Sequence, residues 1–459
     1  MPAQFVIIDR DTPMLLPPDL RDWVNEDDLV HFVIEAVERL PLEVFTVNHR
    51  GSGHAQKSPH MMLALLIYCY SNGIFSSRKI ERATYRDISV RYLTADTHPD
   101  HDTICKFRRE NLSAISAAFV DILQLAREMG LLKMGKVSTD GTHIKASAAM
   151  AKNVNYKRAN ELKETLQLDI EALLKEAESA DQADLDEQKL PAQIAHREKL
   201  VSKMDEAIEG LKKRAQAQQH ADQSAYEKKI AKREAKAKMT GKKVSGREPM
   251  EPKEVEEIAL ESKATYNLTD PDSRVMRKSK HAAYTQSINA QASVDAQGSY
   301  LIVGQHLSQS SSDANELLRA YHSINPELGS PTELIADAGY VNIEAIEQLL
   351  QAGCEPYVSV SSEDAHNERS YDFRPLAPKP TKAISHPTLL SMREKLATAE
   401  GKAIYKLRSQ TIETVFGIIK EVIGFRAFLL RGLEKMKGEW ELACLAYNCK
   451  RLHKIIQSG

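Results

Sequence analysis

The stretch ELIADAGY, residues 333–340, is a compact, largely apolar strand that stops at Asp337 and turns through Ala-Gly-Tyr into the helix NIEAIEQLLQAG. A second stretch, KVSTD at 136–140, ends the same way, with Asp140 followed by Gly141. An aspartate at the carboxyl end of an apolar strand, next to glycine, lies in the crevice where open α/β sheets place their ligands. Taken singly, each also reads as a turn-former or helix cap. Near the end of the chain, YKLRSQTIETVFGIIK (405–420) carries an apolar stripe of Ile412, Val415, Phe416 and Ile419, which Val422 and Ile423 continue. Beside it run Glu413, Gly417 and Lys420, an acid and a lysine flanking a glycine that leaves the strip bare.

The 459 residues suggest two to four domains with ample core. The 42% hydrophobic and 27% charged content is ordinary for a soluble globular chain, and a formal net charge of −2 does not bear on nucleic acid. The opening MPAQFVIIDRDTPM has no signal-peptide pattern, and the longest apolar run, MMLALLIY at 61–68, is too short to span a bilayer, so no membrane role is expected. Five scattered cysteines without a CxxC pair read as reduced core thiols of a cytoplasmic protein.

Residues 1–131 are expected to form a helical N-terminal domain. Within it, RKIERATYRDISVRYLTADTHPDHDTICKFRREN (78–111) gives two short helices, a turn at Pro99 and a helix bearing Lys106, Arg108 and Arg109. That order suits a helix-turn-helix-like DNA-binding unit, and equally a helical bundle with a solvated basic face. Residues 132–459 are expected to form an α/β domain interrupted at 150–262 by a charged segment poor in aromatics. There Leu162, Leu166, Ile170 and Leu173/Leu174 make one helical stripe and Leu200, Met204, Ile208 and Leu211 another, which predicts a helical hairpin or antiparallel coiled coil ending in KKIAKREAKAKMTGKK (228–243). After it, YTQSINAQASVDA (284–296) alternates, turns at Gln297-Gly298-Ser299 and continues as SYLIVGQHLSQ, a strand hairpin. SSDANELLRAYHSI (311–324) reads as a helix with an Asp/Ser start, PYVSVS (356–361) as a strand, 361–390 as an irregular connection and 391–456 as helices.

Three carboxylates meeting in one place repel one another unless a cation neutralises them, and oxygen ligands suit Mg²⁺ or Mn²⁺. Two such ions would clamp the attacking and leaving oxygens of a phosphoryl displacement. A strand with Asp140, a hairpin, a helix, a strand with Asp337 and a late helix with Glu413 is the order expected of a ribonuclease-H-like fold, with 150–262 as its insertion.

The sequence resembles the DDE transposases of bacterial insertion sequences, in the group (insertion sequence 1182-like) with a Tyr-(2)-Arg-(3)-Glu-(6)-Lys signature. Tyr405, Arg408, Glu413 and Lys420 carry that likeness, with four residues rather than three between Arg408 and Glu413. The blocks 76–93 and 99–111 are similar to the family's DNA-binding domain, 267–277 and 284–296 to the approach to its second strand, and 425–452 to its closing helices. The resemblance implies metal-dependent DNA cleavage at the element's ends, then joining of the 3′-hydroxyl to target DNA. It implies Asp140, Asp337 and Glu413 as catalytic metal ligands for two Mg²⁺ or Mn²⁺ ions, and Tyr405, Arg408 and Lys420 as DNA contacts. Arg274 in RVMRKSKH extends a phosphate track, and His143 and Lys145 could face the scissile phosphate or lie on a strand surface. Between 371 and 459, 16 Lys/Arg against 8 Asp/Glu suit a polyanion. The expected partners are double-stranded DNA, both terminal inverted repeats and target, and a second copy of the chain on that DNA, in a cytoplasmic, nucleoid-associated setting. A nuclease that cuts without joining and a non-catalytic DNA-binding descendant of a transposase are the rival readings.

Overall fold

A computed structural model describes residues 19–47, 56–180, 189–240, 246, 248–277, 281–360, 384 and 386–458, with no side-chain description at 176–180, 189–190 or 240. Six helices come first: α1 (Leu29–Glu38), α2 (Pro59–Ser71), α3 (Ser77–Arg86), α4 (Ile88–Leu93), α5 (His101–Glu110) and α6 (Leu112–Glu128). Their starts follow capping chemistry: Asp28, Ser58, Asp87 and Asp100 each accept a backbone N–H of the first turn. The helix α2 is apolar all round, and its residues from Met62 to Ser71 are all buried.

The chain then enters the sheet at β1 (Lys136–Lys145), leaves it through β2 (Asn153–Val154), and runs out along α7 (Tyr156–Ala180) and back along the 52-residue α8 (Lys189–Thr240) and α9 (Val255–Glu261). It returns through β3 (Tyr266–Asn267) to β4 (Arg274–Met276), β5 (Thr285–Asp295) and β6 (Ile302–Ser308), then α10 (Leu317–His322), β7 (Glu333–Ala336), α11 (Ile343–Gln351) and β8 (Glu355–Val358). Four closing helices follow: α12 (Pro387–Ala397), α13 (Ala399–Gln410), α14 (Ile412–Gly417), which passes into a π-helical turn at Ile418–Val422, and α15 (Leu433–Ser458).

The result is a mixed sheet in the order β4-β5-β1-β7-β8, with β6 also paired to β5. β5 is antiparallel to β1, β4 and β6; β7 is parallel to both β1 and β8. The hairpin between β5 and β6 turns through Gly298 and Tyr300, both with positive φ. Although its sequence alternates, β5 has no solvent face: from Gln286 to Asp295 every residue is buried. Its polar alternate residues point into the protein, where they serve the site described below.

Helices α1–α6 do not stand apart from the sheet. α15 packs against α1, α2 and α6 on one side and β6 on the other, and a single apolar cluster runs from Val30 and Leu66 through Ile144 and Val294 to Trp440. Trp440 closes this junction by donating its indole N–H to the Gln291 carbonyl at 3.0 Å. Some predicted elements differ. β1 does not stop at Asp140 but runs on to Lys145, because Gly141 to Lys145 stay paired with β5. α10 starts only at Leu317, because the side chain of Asp313 is taken by β5 instead of capping a helix. Val422, placed on the apolar stripe by its spacing, is 70% exposed, since the π-turn rotates it outward. Of the predicted irregular connection, 361–383 and 385 lie outside the described residues, as do 241–245 of the basic run.

Candidate active site

β1 and β7 run parallel with Ser138 opposite Ile335, so two residues further on Asp140 and Asp337 stand at the same level of adjacent strands. Asp337 ends its strand by accepting the Gly339 N–H at 2.8 Å, and Asp140 accepts the Gly141 N–H at 2.8 Å. Alternation places Ser138, Asp140, Ala290 and Ala292 on the face that α14 covers with Ile412, Val415 and Phe416. On the same side, Ile335 packs with Tyr357 and Ile404, which seats α13 over β7 and β8.

Two helical elements meet over the aspartates. α13 runs to Gln410, and Thr411 (φ −104°, ψ −81°) breaks it from α14, its hydroxyl bonded back to the Leu407 carbonyl. Arg408 lies in the last turn of α13. The break swings it toward α14, which a continuous helix would not allow. Its guanidinium lies 3.5 Å from Asp140 Oδ2 and 2.9 Å from Glu413 Oε1, bridging the two acids. The side chains are 11% (Arg408), 18% (Asp140) and 49% (Glu413) exposed, so the bridge is shielded at the aspartate and open at the glutamate.

A fourth carboxylate reaches the site from the opposite face of the sheet. Asp313, in the loop between β6 and α10, has Oδ1 held by Asn289 Nδ2 at 2.7 Å and Gln291 Nε2 at 2.6 Å. Gln291 in turn accepts from the buried Tyr340 hydroxyl, three residues after Asp337. A Cβ at Gly141 would lie 2.8 Å from Asp313 Oδ1, so this glycine is required by the close approach. Burial, then Asp337, then more weakly Asp313 push the Asp140 carboxyl up to about 7, against the downward pull of Arg408. Sequence reasoning missed Asp313, Asn289 and Gln291; the signal was the unbroken polar alternation of Thr285, Ser287, Asn289, Gln291, Ser293 and Asp295 on a central strand.

The other expected residues fall in several places. Lys420 donates to Thr142 Oγ1 and, at 3.2 Å, to the His143 carbonyl, which ties the π-turn to β1 two residues past Asp140. Tyr405 packs partly buried beside Ile335 and Tyr357. His143 is half-buried, and burial holds its imidazole below the usual value. Arg274 is turned inward onto the Pro271 and Ser273 carbonyls, its pKa lowered to about 10 by burial and by Arg214. Lys106 and Arg109 are exposed on α5. Arg108 corrects the sequence expectation of a DNA contact: it is buried, donates to the Tyr70 hydroxyl and the Phe75 carbonyl, and lies 3.9 Å from Glu439. In an i, i+2, i+3 set on one short helix the middle residue lies about 160° round from the first, and Arg108 is the member that faces the core. Lys278 and Lys280 lie outside the described residues.

Against known families, residues 18–110 match a model described as a transposase domain (DUF772), and residues 263–449 match a transposase DDE domain. The matches support a DDE transposase. The two matched segments coincide with the helical region carrying α1–α5 and with the chain from β3 through most of α15. Asp140 lies in neither segment, because the long excursion through α7 and α8 separates β1 from the rest of the sheet. No curated protein and no solved structure matches the chain. No described helix is long and apolar enough to cross a membrane.

Carboxylate oxygens on adjacent central strands are the donor chemistry that a hard divalent ion requires. Among the described residues, though, no three His, Cys, Asp or Glu side chains converge closely enough to hold a metal as they stand. Arg408 accounts for that spacing: its positive charge sits between Asp140 and Glu413, where it neutralises both.

Proposed function

We infer that this transposase cuts DNA at the ends of an insertion sequence and joins the freed 3′-hydroxyl to target DNA. Asp140, Asp337 and Glu413 are its catalytic carboxylates. The observation that carries the reading is Asp140 level with Asp337 on a neighbouring parallel strand, linked through one guanidinium to Glu413 on the helix above. The strand order, with β5 and β6 antiparallel beside β1 and β7 and β8 parallel beyond it, supports a ribonuclease-H-like fold. The Tyr405, Arg408, Glu413 and Lys420 spacing supports the insertion sequence 1182-like group.

Mg²⁺ or Mn²⁺ ions, two in the reading adopted here, would be held by the three acids and would stabilise charge on the attacked phosphate. The chain's own residues prepare that step. Arg408 neutralises Asp140 and Glu413 before DNA arrives, then turns its guanidinium to a backbone phosphate, which frees both acids. Lys420 holds β1 and the π-turn in register through Thr142, with its charge toward the bound strand, and Tyr405 supports the α13 surface beside it. Asp313 fixes Asn289 and Gln291, so that the floor behind Asp140 does not collapse. Lys106 and Arg109 on α5 and the inward-held Arg274 add positive charge for duplex DNA, including terminal repeats and target. The working form is a homodimer on DNA, in the bacterial cytoplasm.

The test is Mg²⁺-dependent cutting of the flanking inverted repeats, followed by joining of a pre-cleaved 3′ end, with wild type and with Asp140→Asn, Asp337→Asn and Glu413→Gln. Each variant is expected to keep its thermal transition and lose at least about 100-fold in rate. Full activity in any one removes that residue from the site. Cutting without joining assigns a nuclease, and no cutting by wild type assigns a DNA-binding role alone.

A further inference from the structure

The chemistry above leaves one strongly basic element unused, the distal half of α8. α7 and α8 run antiparallel, with Lys163 paired to Asp205 at 2.7 Å and Arg197 to Asp169 at 3.6 Å. The start of α7 therefore stands near Leu211, and α8 continues beyond it to Thr240. Two attachments fix the direction of this extension. Arg214 donates to the Thr265 and Pro271 carbonyls at 2.7 Å, beside β4. Lys228 lies 4.0 Å from Glu344, in the first turn of α11, seven residues after Asp337.

Fourteen helical residues separate the two attachments, a span of about 21 Å. Crossing from β4 over β5 and β1 to β7 is three strand spacings, or about 14 Å. Arg274 pairs with Ser287, and Ser287 with Lys145, five residues beyond Asp140, so the crossing also runs some 17 Å along the strands. The diagonal of those two distances is about the length of the helical span. The α8 extension is thus a beam laid over the carboxyl edge of the sheet, above the crevice that holds Asp140 and Asp337.

Most of its positive charge gathers on one side. At 100° per residue from Lys228, Arg214 and Lys232 fall at about 40°, Lys236 at about 80°, Lys229 at about 100° and Arg233 at about 140°, with Asp222 among them at about 120°, while Glu227 and Glu234 fall near 250° with Lys238 beside them at about 280°. The returning chain covers the remaining side: Gln219 bonds to the Lys253 carbonyl, Arg233 to that of Gly246, and Tyr226 and Ile230 face Pro249. The side toward the sheet is not packed, because Gln218, Ala221, Ala225, Lys229, Lys232 and Lys236 are exposed.

We propose that this face of α8 is a DNA-binding wall, with Lys229, Lys232 and Lys236 on the phosphates of the duplex entering the acid site. A lysine stripe overlooking a carboxylate crevice places positive charge where a polyanion must pass, and leaves the acids free of direct pairing with it. The proposal rests on the functional reading above, since it takes the crevice to be where DNA is cut.

The experiment titrates salt against the anisotropy of a labelled random-sequence duplex, with chelator present so that nothing is cut. It compares wild type, the triple variant Lys229→Gln/Lys232→Gln/Lys236→Gln, and a control triple from the far end of the hairpin, Lys175→Gln/Lys199→Gln/Lys203→Gln. The slope of log affinity on log salt is expected to fall by about 2–3 in the α8 triple and to stay unchanged in the control. Helical circular dichroism should match in all three. Wild type that binds duplex while both triples behave alike overturns this inference alone. Wild type with no affinity for duplex overturns the functional reading along with it.

Discussion

A carboxyl that titrates near 7 changes what pH does to the metal-free chain. The folded value for Asp140 lies above its unfolded value of about 3.9, so the native state holds this proton more tightly than the unfolded chain. The stabilisation is complete below about pH 4 and is lost as pH rises to about 7. With chelator present, wild type should therefore lose melting temperature from pH 5 to 8, while Asp140→Asn changes less and melts about 2–4 °C higher at pH 8. Scanning calorimetry at both pH values checks this, and an Asn variant that melts below wild type at pH 8 contradicts it. Asp140 and Asp337 could be read from sequence because each follows a short apolar stretch with a glycine close behind, although only Asp337 ends its strand while β1 runs on to Lys145. Asp313 could not, since nothing local tells a serine-rich loop acid from a helix cap; only the pairing of β5 with β1 brings Asn289 and Gln291 beneath it.

Among the elements, the broken helix 399–422 decides how the site is presented. The bare strip expected between Glu413 and Lys420 is present: a Cβ at Gly417 would meet nothing within 4 Å. Gly417→Ala should then raise stability by about 0.5–1 kcal/mol through helix propensity. Gly417→Trp should leave the melting temperature near that of wild type while lowering cleavage at subsaturating DNA, because its bulk would stand where the duplex lies. Gly401→Ala is the contrast, since its Cβ would collide with the Lys395 carbonyl, so that variant should unfold earlier. Equal melting of the two alanine variants would show that these spaces are not as drawn. The apolar period of this region was legible in Ile412, Val415, Phe416 and Ile419. The break at Thr411 and the π-turn were not, because helical spacing is silent about which backbone hydrogen bonds are skipped.

At the scale of the molecule, Arg108, Tyr70 and Glu439 join the first helices to the last. Glu439 is fully buried, accepts the Leu429 and Leu430 N–H groups at 3.0 and 2.9 Å, and relies on Arg108 for its counter-charge. Arg108→Ala strands that carboxylate and should cost about 3–5 kcal/mol. The loss should appear as one transition shifting as a whole, because the cluster from Val30 to Trp440 is shared; two separated calorimetric transitions would refute that coupling. This buried pair was invisible in a sequence where basic residues on a helix beside a turn looked like a DNA face. The excursion through α7 and α8 has the opposite character. It leaves and rejoins the fold through the small β2–β3 ladder, Asn153 opposite Asn267 and Val154 opposite Tyr266, and touches it again only through side chains of α8 such as Arg214 and Lys228 among the described residues. A limb rooted outside the main sheet can be lengthened or trimmed at its far tip while every strand keeps its neighbours, so its reach can change without retuning the catalyst.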